Sequence, residues 1–135
     1  FDYAQMKVYS ACLRNGYPED VRDCITREGL TGEQILSKYS VELLKTNRLT
    51  PELLKDLSWK QLRGCGYGLG VRTHMSPADS GLLCNIGEFG WGGAAGATAI
   101  IDTQINLAVF FVQHTRNPRE AYYQPRLRNV VYSCL

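Results

Sequence analysis

Apolar positions along this chain change their period near its midpoint. Over residues 1–62 they recur at helical spacing. Tyr3, Met6, Tyr9 and Leu13 form one stripe, and Asn15-Gly16 closes it. Residues 17–32 mix proline, glycine and charges of both signs and read as an exposed loop. Ser37 caps a second helix with Val41, Leu43 and Leu44 on its apolar side. Thr50-Pro51-Glu52 starts a third, with threonine as cap and proline at the first helical position, where its missing N–H costs nothing.

From residue 63 onward the period becomes that of strands. Tyr67, Leu69 and Val71 alternate with Gly68, Gly70 and Arg72, which predicts a half-buried strand. A polar loop, Met75 to Asp79, follows. Strands are expected over Phe89–Ala94 and from Thr98 to Ile101, with a turn at Asp102-Thr103-Gln104. The unbroken apolar run Leu107–Val112 predicts a strand covered on both faces. Asn117, Pro118 and Glu120 predict the start of a last helix, whose apolar stripe would be Leu127, Val130, Val131 and Leu135. Helices, then short-linked antiparallel strands, then a helix laid across them define an α+β arrangement.

Composition adds bounds rather than a function. The 135 residues have the length of one ordinary domain, and a net charge of +2 gives no electrostatic case for nucleic acid. The cluster Arg116, Arg119, Arg126 and Arg128 reads as a solvated helix face. No apolar run reaches the ~18 residues that cross a bilayer, so no membrane span is expected. Five cysteines, Cys12, Cys24, Cys65, Cys84 and Cys134, are an odd number without C-x-x-C spacing. That favours reduced thiols and a cytoplasmic setting over a disulfide framework. His74 and His114 stand far from any cysteine at zinc spacing, so neither a metal nor another cofactor is expected.

One segment carries candidate chemistry. Gly87-Glu88-Phe89-Gly90-Trp91-Gly92-Gly93-Ala94-Ala95-Gly96-Ala97-Thr98 places five glycines in twelve residues. Glycine weakens a strand, so a strand this rich in it marks a place where something approaches the backbone closely. Read from the residues alone, that something is a helix packed against a bend.

Together with Tyr67-Gly68-Leu69-Gly70 and the Asp102 turn, this segment resembles the C-terminal part of the serine β-lactamase-like hydrolases. The group includes class C β-lactamases, D-aminopeptidases, penicillin-binding proteins and family VIII carboxylesterases. Asp2-Tyr3-Ala4, Ile35-Leu36-Ser37 and Val41-Glu42-Leu43 are similar to the helices that precede that sheet. The resemblance implies an antiparallel sheet flanked by helices, the C-terminal portion of the β-lactamase/transpeptidase-like fold. Residues 1–62 would belong to its all-α region and 63–135 to its α/β region. Trp91-Gly92-Gly93 stands where the family has Lys-Thr-Gly, and Ala94 would be the backbone oxyanion donor. Trp91, Gly92, Gly93 and Ala94 would then bind substrate.

The departures bear on the substrate. Lys and Thr suit the carboxylate of a β-lactam or peptide. Trp91 offers instead a flat apolar wall, which points to an ester. Trp91 as plain core packing is the competing reading. No Ser-x-x-Lys and no Tyr- or Ser-x-Asn occurs in the chain. The chain is therefore expected to be the C-terminal part of a longer hydrolase, partnered by its own N-terminal remainder and by a small ester or amide substrate. Alone it should show no turnover, and its sheet should have an open edge. A β-lactamase or D-amino acid peptidase, and a non-catalytic scaffold that lost its nucleophile, are the alternatives. Of the remaining residues, Tyr67 should start a strand, Glu88 should be an exposed turn carboxylate, and His74 has no evident partner. His114 should lie at the surface, and Cys84 should be a small buried thiol.

Overall fold

The computed structural model describes residues 36–57, 59–113 and 119–135. The helix and loop expected over residues 3–32, His114, Arg116 and the Asn117-Pro118 start lie outside the described residues.

Helix α1 (Lys38–Lys45) begins where the sequence places it, and the Ser40 N–H donates to the Ser37 hydroxyl. Helix α2 (Pro51–Asp56) has Thr50 as its cap, accepting from the Leu53 N–H. A short 3-10 turn, Lys60–Leu62, leads into the sheet. Five strands follow: β1 (Cys65–Tyr67), β2 (Arg72–His74), β3 (Phe89–Gly92), β4 (Thr98–Asp102) and β5 (Leu107–Phe111). They lie in sequence order in one sheet, each antiparallel to the next. Helix α3 (Pro77–Ser80) interrupts the loop between β2 and β3, and α4 (Glu120–Ser133) ends the chain. The expected α+β class is what the structure has.

The sheet lies between two helices. Val41 of α1 packs with Val71, Phe89 and Ile101 to form the apolar core on one face. Residues that alternate with these point the other way. On that opposite face Asp102 accepts from the Tyr132 hydroxyl of α4 at 2.7 Å.

Four expectations are corrected. The Tyr67–Val71 alternation is not one strand. Cys65–Tyr67 and Arg72–His74 form a tight hairpin whose turn is closed by the Gly68 N–H donating to the Val71 carbonyl. Gly70 takes a φ of 82° there, and the glycines that mimic an alternating pattern are turn residues. The Met75–Asp79 loop contains α3, capped by Ser76. The strand from Phe89 stops at Gly92 rather than Ala94. The β5 run is not covered on both faces: it is the sheet's last strand, and Ala108, Phe110 and Val112 are exposed while the residues between them are half-buried.

The last helix departs most from expectation. Its buried residues are Gln124 and Arg128, whereas Val130 is 61% and Leu135 75% exposed. Arg128 therefore does not belong to a solvated basic face. The layer between α4 and the sheet is polar: Arg72, His74, Glu88, Thr98, Asp102 and Arg128 are all buried. A charge that deep must be paired or hydrogen-bonded, so this layer dictates a definite set of partners.

Candidate active site

Strand β3 turns into β4 through the three-residue loop Ala94-Ala95-Gly96. The Gly93 N–H donates to the Ala97 carbonyl at 2.7 Å, and the Gly96 N–H donates back to Gly93 at 2.8 Å. Gly96 takes a φ of 89°, the left-handed residue that such a hairpin loop requires. This closes the main-chain bonds of Gly93, Gly96 and Ala97 on each other and leaves Ala94 at the second position of the turn, exposed. Among the described residues its N–H meets no acceptor. The sequence pattern places Ala94 in the strand. The structure puts it two residues past the strand's end, at the lip of a cleft.

That cleft has a volume of about 310 Å³. Trp91, Gly92, Gly93 and Ala94 line it together from β3 and its loop. Trp59 and Gln61 approach from the segment before β1, and Glu120 and Gln124 from the first turns of α4. Gly92 matters by what it lacks: a methyl group on it would sit 3.0 Å from the Gln124 amide nitrogen. Gly90 is the mid-strand position with no room at all. At φ 155° a side chain would run into the Ala99 carbonyl of β4.

The Trp91 ring is held by other rings. Tyr67 meets it edge-on with centroids 5.2 Å apart, and Trp59 lies 6.4 Å away at a 41° tilt. Such edge and tilted pairs are the favoured aromatic geometries. Tyr67 ends β1 rather than starting a strand. Trp59 is 58% exposed.

Behind the cleft stands a buried ion pair. Arg72 Nη1 and Nη2 donate to the two Glu88 carboxylate oxygens, each at 2.7 Å. Glu88 is thus no exposed turn residue; it has no solvent exposure. Burial works to raise its pKa, but the Arg72 charge and hydrogen bonds outweigh burial and hold it below the ordinary carboxylate value. Burial likewise opposes the Arg72 charge, and Glu88 outweighs it, keeping that guanidinium above its usual value. Arg128 is less well served. Burial first, then the Arg72 charge, push it down to about 10, and its Nε and Nη1 have no hydrogen-bond partner.

The remaining candidates resolve as scaffold. His74 does have partners: Nδ1–H donates to the Asn85 carbonyl at 3.1 Å, and Nε2 meets the Ser80 hydroxyl at 2.9 Å. This serine–histidine contact lies outside the cleft lining, His74 has no exposure, and Ser80 also accepts from the Leu82 N–H. Cys84 is the buried thiol expected, pushed up to about 12 by burial and then by Glu88. Cys65, Cys84 and Cys134 are free; Cys12 and Cys24 lie outside the described residues. Among the described residues no His/Cys/Asp/Glu group is placed to hold a metal. No helix among them is long and apolar enough to cross a membrane.

Sequence reasoning missed Trp59, Gln61, Arg72, Glu120 and Gln124 as cleft residues. Trp59 sits in no regular apolar pattern, and Gln124, though on the Leu127–Val131 side of α4, is polar and carries no hydropathy signal. Only a tryptophan between Ser58 and Lys60, in a polar stretch, gave any signal.

Neither a sequence-family model nor a curated protein sequence matches the chain. A solved structure does: simvastatin synthase (LovD) from Aspergillus terreus, an LovD6 mutant, superposes with a TM-score of 0.54 at 16% sequence identity. The match covers 74% of this chain and 29% of that one, so the chain spans under a third of the enzyme it matches. The likeness is one of fold. The class it defines is α+β: an antiparallel sheet flanked by helices, part of the β-lactamase/transpeptidase-like fold.

Proposed function

We propose that this chain is the C-terminal part of a serine hydrolase that works through an acyl-enzyme on small carboxylic esters, and that it supplies the oxyanion-hole strand. The observation that carries this reading is the Ala94 N–H, a main-chain donor without an acceptor among the described residues, beside a cleft walled by Trp91. When a serine oxygen attacks an ester carbonyl, the carbonyl oxygen becomes an anion. Two aimed N–H donors stabilise it, and each is worth about 3–4 kcal/mol. Ala94 supplies one donor. The second donor and the nucleophile come from the preceding part of the protein, and the collapsed intermediate expels the alcohol.

The wall favours an ester over a β-lactam. Arg72, the cation that lines the cleft, is committed to Glu88 through both terminal nitrogens, so it has no fork left for a substrate carboxylate. Trp91 contributes apolar surface where Lys-Thr-Gly would contribute charge. The test is hydrolysis of p-nitrophenyl acetate or butyrate by the protein that includes the segment preceding Phe1, with a chromogenic cephalosporin in parallel. A folded protein that hydrolyses neither ester refutes the reading. Faster turnover of the cephalosporin moves it to the β-lactamase alternative.

A further inference from the structure

Three features of the cleft coincide at its mouth. Trp59 and Trp91 both line it, and their rings are tilted toward each other with centroids 6.4 Å apart. Tyr67 packs edge-on behind Trp91 and fixes that ring. Glu120, half-buried in the first turn of α4, lines the same cleft. Among the described residues Glu120 has no ion-pair partner. The cation nearest in the lining, Arg72, is closed by Glu88. The buried charges behind the cleft balance formally, Arg72 and Arg128 against Glu88 and Asp102. Among the described residues, two electron-rich ring systems and a carboxylate without an ion-pair partner therefore line the cleft.

An acid in the first turn of a helix is accounted for by the helix dipole. The dipole does not account for its sharing a cleft with two tryptophans, one of them 58% exposed. Aromatic faces attract cations through the ring quadrupole, most strongly tryptophan, and a carboxylate adds to that attraction. The same faces bind a neutral group only by its apolar area.

We propose that the cleft formed by Trp59, Trp91 and Glu120 receives a cationic group, a quaternary or protonated amine, carried by the substrate. This deepens the ester-hydrolase reading and rests on it: the substrate class becomes amine-bearing esters, with the ammonium against the tryptophans and the carbonyl toward Ala94.

The experiment uses choline and its uncharged isostere, 3,3-dimethylbutan-1-ol, titrated against the purified protein and followed by tryptophan fluorescence and by calorimetry. Choline should bind about three- to thirtyfold more tightly than the isostere. Glu120→Gln and Trp59→Leu should each remove most of that preference while leaving the far-UV circular dichroism unchanged. Equal affinity for the two compounds overturns the inference, as does a preference that survives Glu120→Gln or tighter binding of acetate than of choline. Failure here separates from failure of the hydrolase reading. Hydrolysis of p-nitrophenyl butyrate without choline preference sinks only the cation site; choline preference in a protein that hydrolyses no ester sinks only the hydrolase.

Discussion

Arg72 and Glu88 clasp each other through two parallel 2.7 Å hydrogen bonds, with Glu88 fully and Arg72 almost fully removed from water. One lies in β2 and the other just ahead of β3, so the pair ties the second strand to the loop that leads into the glycine-rich one. Removing one partner leaves the other charge buried and unpaired. Glu88→Gln should therefore destabilise the fold by about 3–5 kcal/mol, measured by urea denaturation. Replacing both, as Arg72→Met with Glu88→Leu, should cost clearly less than the single change, because no lone charge remains. A double variant at least as unstable as Glu88→Gln would show that the pair does more than cancel its own burial.

The same pair sets the acid limit. Glu88 has its folded pKa below the ordinary value, so its stabilising contribution is fully present above that ordinary value, near pH 4.5. It is lost as pH falls through the lowered folded value, because the unfolded chain then binds the extra proton. Denaturation midpoints measured from pH 7 to pH 3 should drop steeply below about pH 4.5. The double variant should show a shallower acid limb.

The thiols should separate by access. Cys134 is exposed, whereas Cys65 and Cys84 are buried, and burial raises both of their pKa values, that of Cys84 to about 12. Thiolate is the reactive form, so at pH 8 iodoacetamide should label Cys134 well before the other two. Peptide mass spectrometry after timed quenching reads this directly. Early labelling of Cys84 would contradict the packing described around it.

Two neighbouring glycines should respond differently to one methyl group. Gly90→Ala forces a side chain into the Ala99 carbonyl and should prevent the β3–β4 pairing, giving insoluble or unfolded protein. Gly92→Ala presses on the end of the Gln124 side chain and touches the Ala97 carbonyl at an ordinary 3.5 Å, so it should fold. By narrowing the cleft it should raise KM for esters about tenfold or less, as expected for a lost pocket contact. Solubility and thermal melting of the two variants settle the contrast.

The proposed donor has an unusually clean test. Ala94 occupies the second position of a turn, where proline's fixed φ is welcome. Ala94→Pro removes the N–H at a turn position that favours proline, so stability should change by less than about 1 kcal/mol. Esterase kcat should fall about 10²–10³-fold if this amide receives the oxyanion. A folded variant with undiminished kcat would remove Ala94 from the chemistry.

What the sequence displays depends on whether a signal is local. Caps at Ser37 and Thr50 and the strands around Phe89 and Thr98 rest on short-range rules and fall where expected. The hairpin at Gly68–Val71 is hidden because alternating glycines mimic strand periodicity while serving the turn. Helix α4 defeats pattern reading because its buried side is Gln124 and Arg128, and no hydropathy pattern reveals a polar layer whose partners, Arg72, Glu88 and Asp102, lie far earlier in the chain. Glu88 fails for the same reason, its partner Arg72 lying in β2, while His74 is hidden because its partners, the Ser80 hydroxyl and the Asn85 carbonyl, are brought to it by the loop after β2. A charge looks exposed until its distant counter-charge is known. Trp91, Gly92, Gly93 and Ala94 are legible as a group because they are contiguous; Trp59 and Glu120 reach the same cleft only through the fold.

The loop after β3 fixes the direction of its second amide through main-chain bonds alone, from Gly93 to Ala97 and from Gly96 back to Gly93. Nothing in that arrangement depends on the identity of the surrounding walls. Substitutions at positions 59, 91, 120 or 124 are therefore free to reshape what the pocket admits while the pointing of the amide stays put. Such a division lets new preferences be acquired by natural drift, one wall at a time, around an unmoving anchor.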